Sequence, residues 1–180
     1  MKEVNMKITK RNVLITGGSS GIGFALAKKF IENGDNVIIT GRSHSRLKLA
    51  KESLEGIHIY QSDVTIGDQV KKLAEDIQNT FNGIDILVNN AGIMNLVNTG
   101  DERNKLDQLM QEIEINYNSP IRMVHYFLPQ LKRSKDAVLI NVSSGLAYMP
   151  FSQAPIYSGT KAALHAWTQA IRPQLKLHHI

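Results

Sequence analysis

Tyr157 and Lys161 stand four residues apart in the run Tyr-Ser-Gly-Thr-Lys. On a helix that spacing puts both on one face, one turn apart. Ser144 lies thirteen positions before the tyrosine, just past an apolar run at 137–142 that reads as a strand. A hydroxyl, a phenol and an ammonium converging on one point suit proton transfer to or from a carbonyl or alcohol oxygen. Free tyrosine, with a pKa near ~10, is a poor base at neutral pH, and an adjacent lysine cation favours its phenolate. By itself the pair reads more readily as a tyrosine packed at a helix start beside a solvated lysine, because so short a motif recurs by chance.

For that chemistry to exist, other elements must bring a cofactor to the tyrosine. Asn-Val-Leu-Ile-Thr at 12–16 is a short apolar run ending at glycine, the pattern of a buried parallel strand. Gly17, Gly18, Ser19, Ser20, Gly21, Ile22 and Gly23 follow. A helical pattern then covers 22–33, with Ile22, Ala25, Leu26 and Phe30 as its expected inward stripe and Gly34 as a left-handed cap. Strand, glycine-rich turn and helix together make a phosphate cradle. The glycines let the backbone approach a pyrophosphate, and the helix start offers free N–H groups and a positive dipole end. The spacing is Thr-Gly-x-x-x-Gly-x-Gly, not the commoner Gly-x-Gly-x-x-Gly.

A second strand at 36–40 runs into Gly41, Arg42 and Ser43. Dinucleotide folds that use NAD usually set an acidic residue here to hold the ribose 2′-hydroxyl. None stands between Val37 and Ser43, and Arg42 offers a cation where a 2′-phosphate would sit. NADP(H) is therefore the expected cofactor, with NAD(H) the alternative.

Further along, a polar helix over 43–54 precedes a strand at 57–61 and the turn Ser62-Asp63-Val64-Thr65. Residues 66–81 are helical, with Val70, Leu73, Ala74 and Ile77 turned inward. A strand at 84–88 leads into Asn89, Asn90, Ala91 and Gly92. One long helix is expected over 106–131, kinked at Pro120, with Asn116 just ahead of the proline. A last helix over 156–177 carries Tyr157 and Lys161. Strands alternating with helices predict a single α/β domain over 1–180, a Rossmann-like doubly wound parallel sheet with helices on both faces and a flexible tail at 1–11. Such sheets bind ligands at the carboxyl ends of their strands. Gly17, Arg42, Asp63, Asn90 and Ser144 all fall just past strand ends.

Composition narrows the chemistry. The chain has no cysteine, which excludes disulfides, thiolate metal sites and cysteine nucleophiles, and its six histidines show no metal-ligand spacing. No metal is expected. The net charge of +5 is spread along the chain, whereas a nucleic-acid binder gathers its positive charge into a patch. The N-terminal residues are charged, without an apolar signal region, and no apolar run spans a bilayer, so a cytoplasmic protein without a membrane or nucleic-acid partner is expected.

Taken together the motifs resemble those of the short-chain dehydrogenase/reductase family, and the resemblance runs from about residue 12 to residue 180. Thr16, Gly17, Gly21, Ile22 and Gly23 match its cofactor motif, Asp63 and Val64 the pair that contacts adenine, and Asn89, Asn90, Ala91 and Gly92 the element that follows the fourth strand. Asn116, Ser144, Tyr157 and Lys161 match its catalytic four in order and approximate spacing. The chain is similar in character to poorly characterised bacterial oxidoreductases found near lipoteichoic-acid D-alanylation genes.

The resemblance implies an NAD(P)-dependent oxidoreductase that interconverts a carbonyl and a secondary alcohol by hydride transfer. Tyr157 would be its acid or base, and Lys161 would lower the tyrosine pKa and hold the nicotinamide ribose. Ser144 would bond the substrate oxygen, and Asn116 would hold a relay water. The glycine spacing argues against the family's extended branch, in which it is Thr-Gly-x-x-Gly-x-x-Gly. Homodimers or homotetramers are implied, paired through the long helices. Met94, Leu146, Tyr148, Met149 and Phe151 hint at an apolar pocket for a small carbonyl or alcohol.

Family members are usually longer, and the resemblance implies last strands and a substrate-covering loop beyond Ile180. A protein ending there is expected to expose an apolar edge and to be weakly active or inactive. Two rival readings remain: a non-catalytic nucleotide-binding or regulatory protein on the same fold, and a fragment whose long helices form an association surface.

Overall fold

A computed structural model describes residues 10–180. Its centre is a parallel five-stranded sheet made of β1 (Asn12–Thr16), β2 (Asn36–Gly41), β3 (His58–Gln61), β4 (Ile86–Asn89) and β5 (Val138–Asn141), in the order β3-β2-β1-β4-β5. Helices α1 (Gly21–Glu32), α2 (His44–Ser53), α3 (Gly67–Phe81), α4 (Leu106–Ile113), α5 (Ser119–Leu131) and α6 (Pro155–Lys176) form the connections and the C-terminal end. The strands are apolar on both faces because both faces are covered. Leu14, Ile38 and Leu87 pack with Leu73 and Ile77 of α3 and with Met123 and Phe127 of α5. Their neighbours Val13, Ile15, Val37, Ile39 and Val88 point the opposite way, toward Ala27 of α1 and Leu47 of α2. The chain reverses its direction of winding between β1 and β4, which opens a crevice at their carboxyl ends.

The inward stripe expected for α3, Val70, Leu73, Ala74 and Ile77, is the buried one. Gly34 closes α1 with φ +87°. On α1 itself the face differs from expectation. Gly23 and Ala27 are buried, whereas Ala25 is exposed and Ile22 is 64% exposed. Close contact of the glycine with the turn below it sets the helix rotation, and this rolls Ile22 out to the crevice.

The helix expected over 106–131 is not continuous. It is divided by a π-helical segment, Glu114–Asn118, and Pro120 opens α5 instead of kinking a longer helix. In an α-helix the N–H of residue 120 would bond the carbonyl of Asn116, and proline has no N–H to give. Arg11, expected in a flexible tail, is instead fixed by Asp35, to which its Nε and Nη2 donate at 3.0 and 2.9 Å. The remainder of that tail, 1–9, lies outside the described residues. On β5, Val138 is 38% and Ile140 36% exposed, so this edge strand carries apolar side chains in the open. Among the described residues no helix is long and apolar enough to cross a membrane.

Candidate active site

A cleft of about 520 Å³ lies over the carboxyl ends of the strands. Its floor is built at the β1–β4 junction. Thr16 Oγ1 accepts from the backbone N–H of both Asn90 and Ala91 at 3.0 Å. Asn90 Nδ2 donates to the carbonyls of Thr16 and Gly17 at 2.9 and 3.2 Å. Gly17 has φ +65°, a left-handed conformation that favours glycine. Gly23 is needed for space, since a Cβ there would sit 2.4 Å from Asn90 Nδ2 and 2.5 Å from the Gly17 carbonyl.

Of the residues expected at the cofactor, Gly17, Ser19, Ser20, Ile22, Arg42, Asp63, Val64, Asn90, Ala91, Gly92, Tyr157 and Lys161 line this cleft. Gly21 and Gly23 do not: Gly21 shapes the turn with φ +54°, and Gly23 lies beneath it. Arg46 also lines the cleft, one helical turn beyond Arg42, and sequence reasoning passed over it. Its four-residue spacing from Arg42 was the available signal. Both guanidinium groups stand at the start of α2, whose first turn holds no acidic residue and whose Ser43 cap accepts from Arg46 N at 3.3 Å. Three cations, Arg42, Arg46 and Lys161, line the cleft against one carboxylate, Asp63, so the lining favours an anion.

At the other end, α6 brings Tyr157 and Lys161 into the cleft together. Lys161 is only 4% exposed, and its Nζ donates to the Val142 carbonyl at 2.7 Å. The same Nζ stands 5.6 Å from the centre of the Tyr157 ring. Among the described residues no carboxylate pairs with it, and burial pushes its pKa down. A cation held in this way is poised for an electron-rich oxygen in the cleft.

Asn116 is fully buried, on the π-helical segment. Its Oδ1 accepts from Ile93 N at 2.9 Å, and its Nδ2 donates to the Ile93 carbonyl at 2.8 Å and to Thr160 Oγ1 at 3.2 Å. The side chain is thus committed to holding the loop after β4 against α6.

Ser144 caps the short 3₁₀ turn Gly145–Ala147, accepting from Leu146 N at 3.1 Å, and is not part of the cleft lining. Ser143 is, and its buried hydroxyl has no partner among the described residues. The buried hydroxyls of Thr40 and Ser62, also on the lining, have none either. A glycine-rich turn and two exposed guanidinium groups on the lining fit a phosphorylated dinucleotide. Among the described residues no group of three acidic or histidine side chains could hold a metal ion.

Met94 lines the cleft beside Ile93 and is 53% exposed. Tyr148, Met149 and Phe151 are exposed on the loop before α6. Val97 N donates to the Gln153 carbonyl at 2.8 Å, which fastens that loop to the one carrying Met94.

The model of one protein family, described as short chain dehydrogenase, matches residues 11–180. An uncharacterized oxidoreductase, DltE, of Bacillus subtilis is 42% identical over 171 residues, which are 95% of this chain and 68% of that protein. A serine 3-dehydrogenase of Agrobacterium fabrum is 35% identical across 91% of this chain and 65% of its own length. Among solved structures, L-sorbose reductase of Gluconobacter frateurii, complexed with NADPH and L-sorbose, superposes with a TM-score of 0.87 at 28% identity. That match covers 95% of this chain and 66% of the reductase, so the chain spans about two thirds of the length of these relatives.

Replacing Gly23 by alanine should lower stability by about 1–3 kcal/mol in urea unfolding, since the added methyl meets Gly17 and Asn90 without room to yield. Lys161→Met removes an unpaired buried cation and should leave the thermal midpoint unchanged or higher. The pH dependence carries the sign. With a folded-state pKa below the unfolded one, lysine binds more protons in the unfolded chain, so wild-type stability should rise with pH between the two values. That alkaline rise should be absent from Lys161→Met, and a rise of equal size in both proteins would contradict it.

Proposed function

This chain belongs to the short-chain dehydrogenase family, and on that premise we propose that it is an NADP(H)-dependent oxidoreductase interconverting a small carbonyl compound and the corresponding secondary alcohol. The observation that carries the reading is Lys161, buried beside Tyr157 with no carboxylate paired to it among the described residues, in a cleft whose far end presents Arg42 and Arg46. A buried unpaired cation is costly, and a fold retains one where function needs it.

The bound cofactor supplies or accepts the hydride. The chain's own groups handle the proton and the charge. In reduction, Tyr157 donates its phenolic proton to the substrate oxygen as that oxygen gains electron density, and in oxidation it takes the proton back. Lys161 stabilises the phenolate left behind and offers its remaining N–H donors to ribose hydroxyls. Ser144 accepts from Leu146 N and retains its own O–H, which would bond the substrate oxygen and steady the developing charge. Asn116 would position the water that returns a proton to Lys161. Arg42 and Arg46 would share the 2′-phosphate, for which a forked guanidinium is well shaped. NADPH in the sorbose reductase supports that preference.

Met94, Tyr148, Met149 and Phe151 give the substrate an apolar flank. A second copy of the chain would pair along the exposed apolar side chains of the α4–α5 run, Leu106, Met110 and Ile121.

Calorimetric titration should show NADPH binding more tightly than NADH. Arg42→Ala should weaken NADPH by at least about tenfold, the scale of one charge-assisted hydrogen bond, with little change for NADH. Tighter NADH binding by the wild type would overturn the cofactor assignment. On a panel of ketones and aldehydes, Tyr157→Phe should lose at least about 100-fold in turnover while binding NADPH normally. Normal turnover by that variant would remove the acid–base role.

A further inference from the structure

Asp63 and Val64 form part of the cleft lining just past β3, on a turn whose hydrogen bonds are nearly all its own. Asp63 Oδ1 accepts from Thr65 N at 2.9 Å and from Thr65 Oγ1 at 2.8 Å. Ile66 N donates to the Asp63 carbonyl at 3.0 Å, and Asp63 N donates to Gln69 Oε1 at 2.8 Å. Asp63 Oδ2 has no partner among the described residues, so an acceptor oxygen stands at the cleft.

One hydrogen bond reaches this turn from a different layer. Arg122 on α5, 58 residues away in sequence, donates from Nη1 to the Val64 carbonyl at 2.8 Å. Its Nη2 donates to Glu114 Oε1 at 2.5 Å, and Glu114 Oε2 accepts from Asn118 Nδ2 at 2.7 Å. Burial pushes the Glu114 carboxyl up, but the bonds from Asn118 and Arg122 outweigh it and hold the group below the ordinary carboxylate range. The Arg122 and Glu114 side chains are 24% and 33% exposed, so solvent screens the pair less than it would a fully exposed one. The planar guanidinium holds the carboxylate with one arm and the carbonyl with the other in a fixed geometry, which a lysine ammonium, a single point donor, reproduces less well.

We propose that Arg122, aimed by Glu114, is a positioning residue for the adenine end of the cofactor: it fixes the Val64 carbonyl and so sets the angle at which the Asp63–Val64 turn meets the base. The inference rests on the NADP(H) reading above. Asp63 Oδ2 suits the exocyclic amino group of adenine, whereas hypoxanthine presents an oxygen at that position and is repelled. Holding the turn is therefore what lets the cleft tell the two bases apart.

The test compares NADPH with its hypoxanthine analogue, deamino-NADPH, by calorimetry on wild type, Arg122→Met, Arg122→Lys and Glu114→Gln. Wild type should prefer NADPH. Arg122→Met should lose about tenfold in NADPH affinity, equivalent to about 1.4 kcal/mol, with little change for the analogue, so the preference collapses. Arg122→Lys should recover only part of it, and Glu114→Gln should fall between wild type and Arg122→Met. Should Arg122→Met fail to fold, Glu114→Gln carries the comparison, because it loosens the guanidinium without emptying its space. An unchanged preference in the variants overturns the proposal, as does equal binding of the two cofactors by wild type. Failure of wild type to bind either overturns the NADP(H) reading itself, and this proposal with it.

Discussion

The hydroxyl of Thr16 closes the point where the sheet changes its direction of winding. It accepts two backbone N–H groups from the loop just after β4, and Asn90 returns two bonds to the carbonyls of Thr16 and Gly17. Four backbone groups that would otherwise be stranded where the ladder ends are satisfied there, and each left unpaired would cost about 1–3 kcal/mol. The crevice can open only because this seam holds beneath it. The glycine-rich turn rests on it, Gly23 is pressed against it, and α1 takes its rotation from it.

A second constraint comes from the α4–α5 run. A π-helical segment is a costly way to continue a helix, and such segments gather at functional sites. Here it places Asn116 and Glu114 toward different ends of the cleft. Asn116 grips the Ile93 backbone and reaches α6, beside Lys161, while Glu114 reaches Arg122 and through it the turn at Val64. Pro120 withholds the backbone donor that an ordinary helix would use. The stability of the helix run is traded for side-chain directions that a regular helix would not offer. Lys161 shows a similar cost, since among the described residues no carboxylate pairs with this buried cation and burial pushes its pKa down.

Much of this was legible in the residues themselves. Outside the run at 106–131, strands and helices fall close to where period and glycine placement put them, because a parallel sheet covered on both faces writes continuous apolar runs separated by amphipathic stretches. Most of the expected cofactor positions line one cleft, since strand ends converge by topology. The roll of α1 was not legible: hydrophobicity put Ile22 inward, while the close approach of Gly23 to Gly17 and Asn90 turned it outward. Nor was the π-helical break, because the sequence marks the proline but not the register in which the preceding turn widens.

Sequence by itself determined the order of elements, and with it the glycine-rich turn, the missing acid after β2 and the tyrosine–lysine pair, three patterns that each lie within a few neighbouring residues. Tertiary structure alone decided which atoms are left over. That the buried Ser143 hydroxyl finds no partner among the described residues, that the Asn116 amide is spent on Ile93 and Thr160, and that Arg122 supports a turn 58 residues away all depend on distances between separate layers. Hydrogen-bond satisfaction is a property of the packed whole, and no local pattern encodes it.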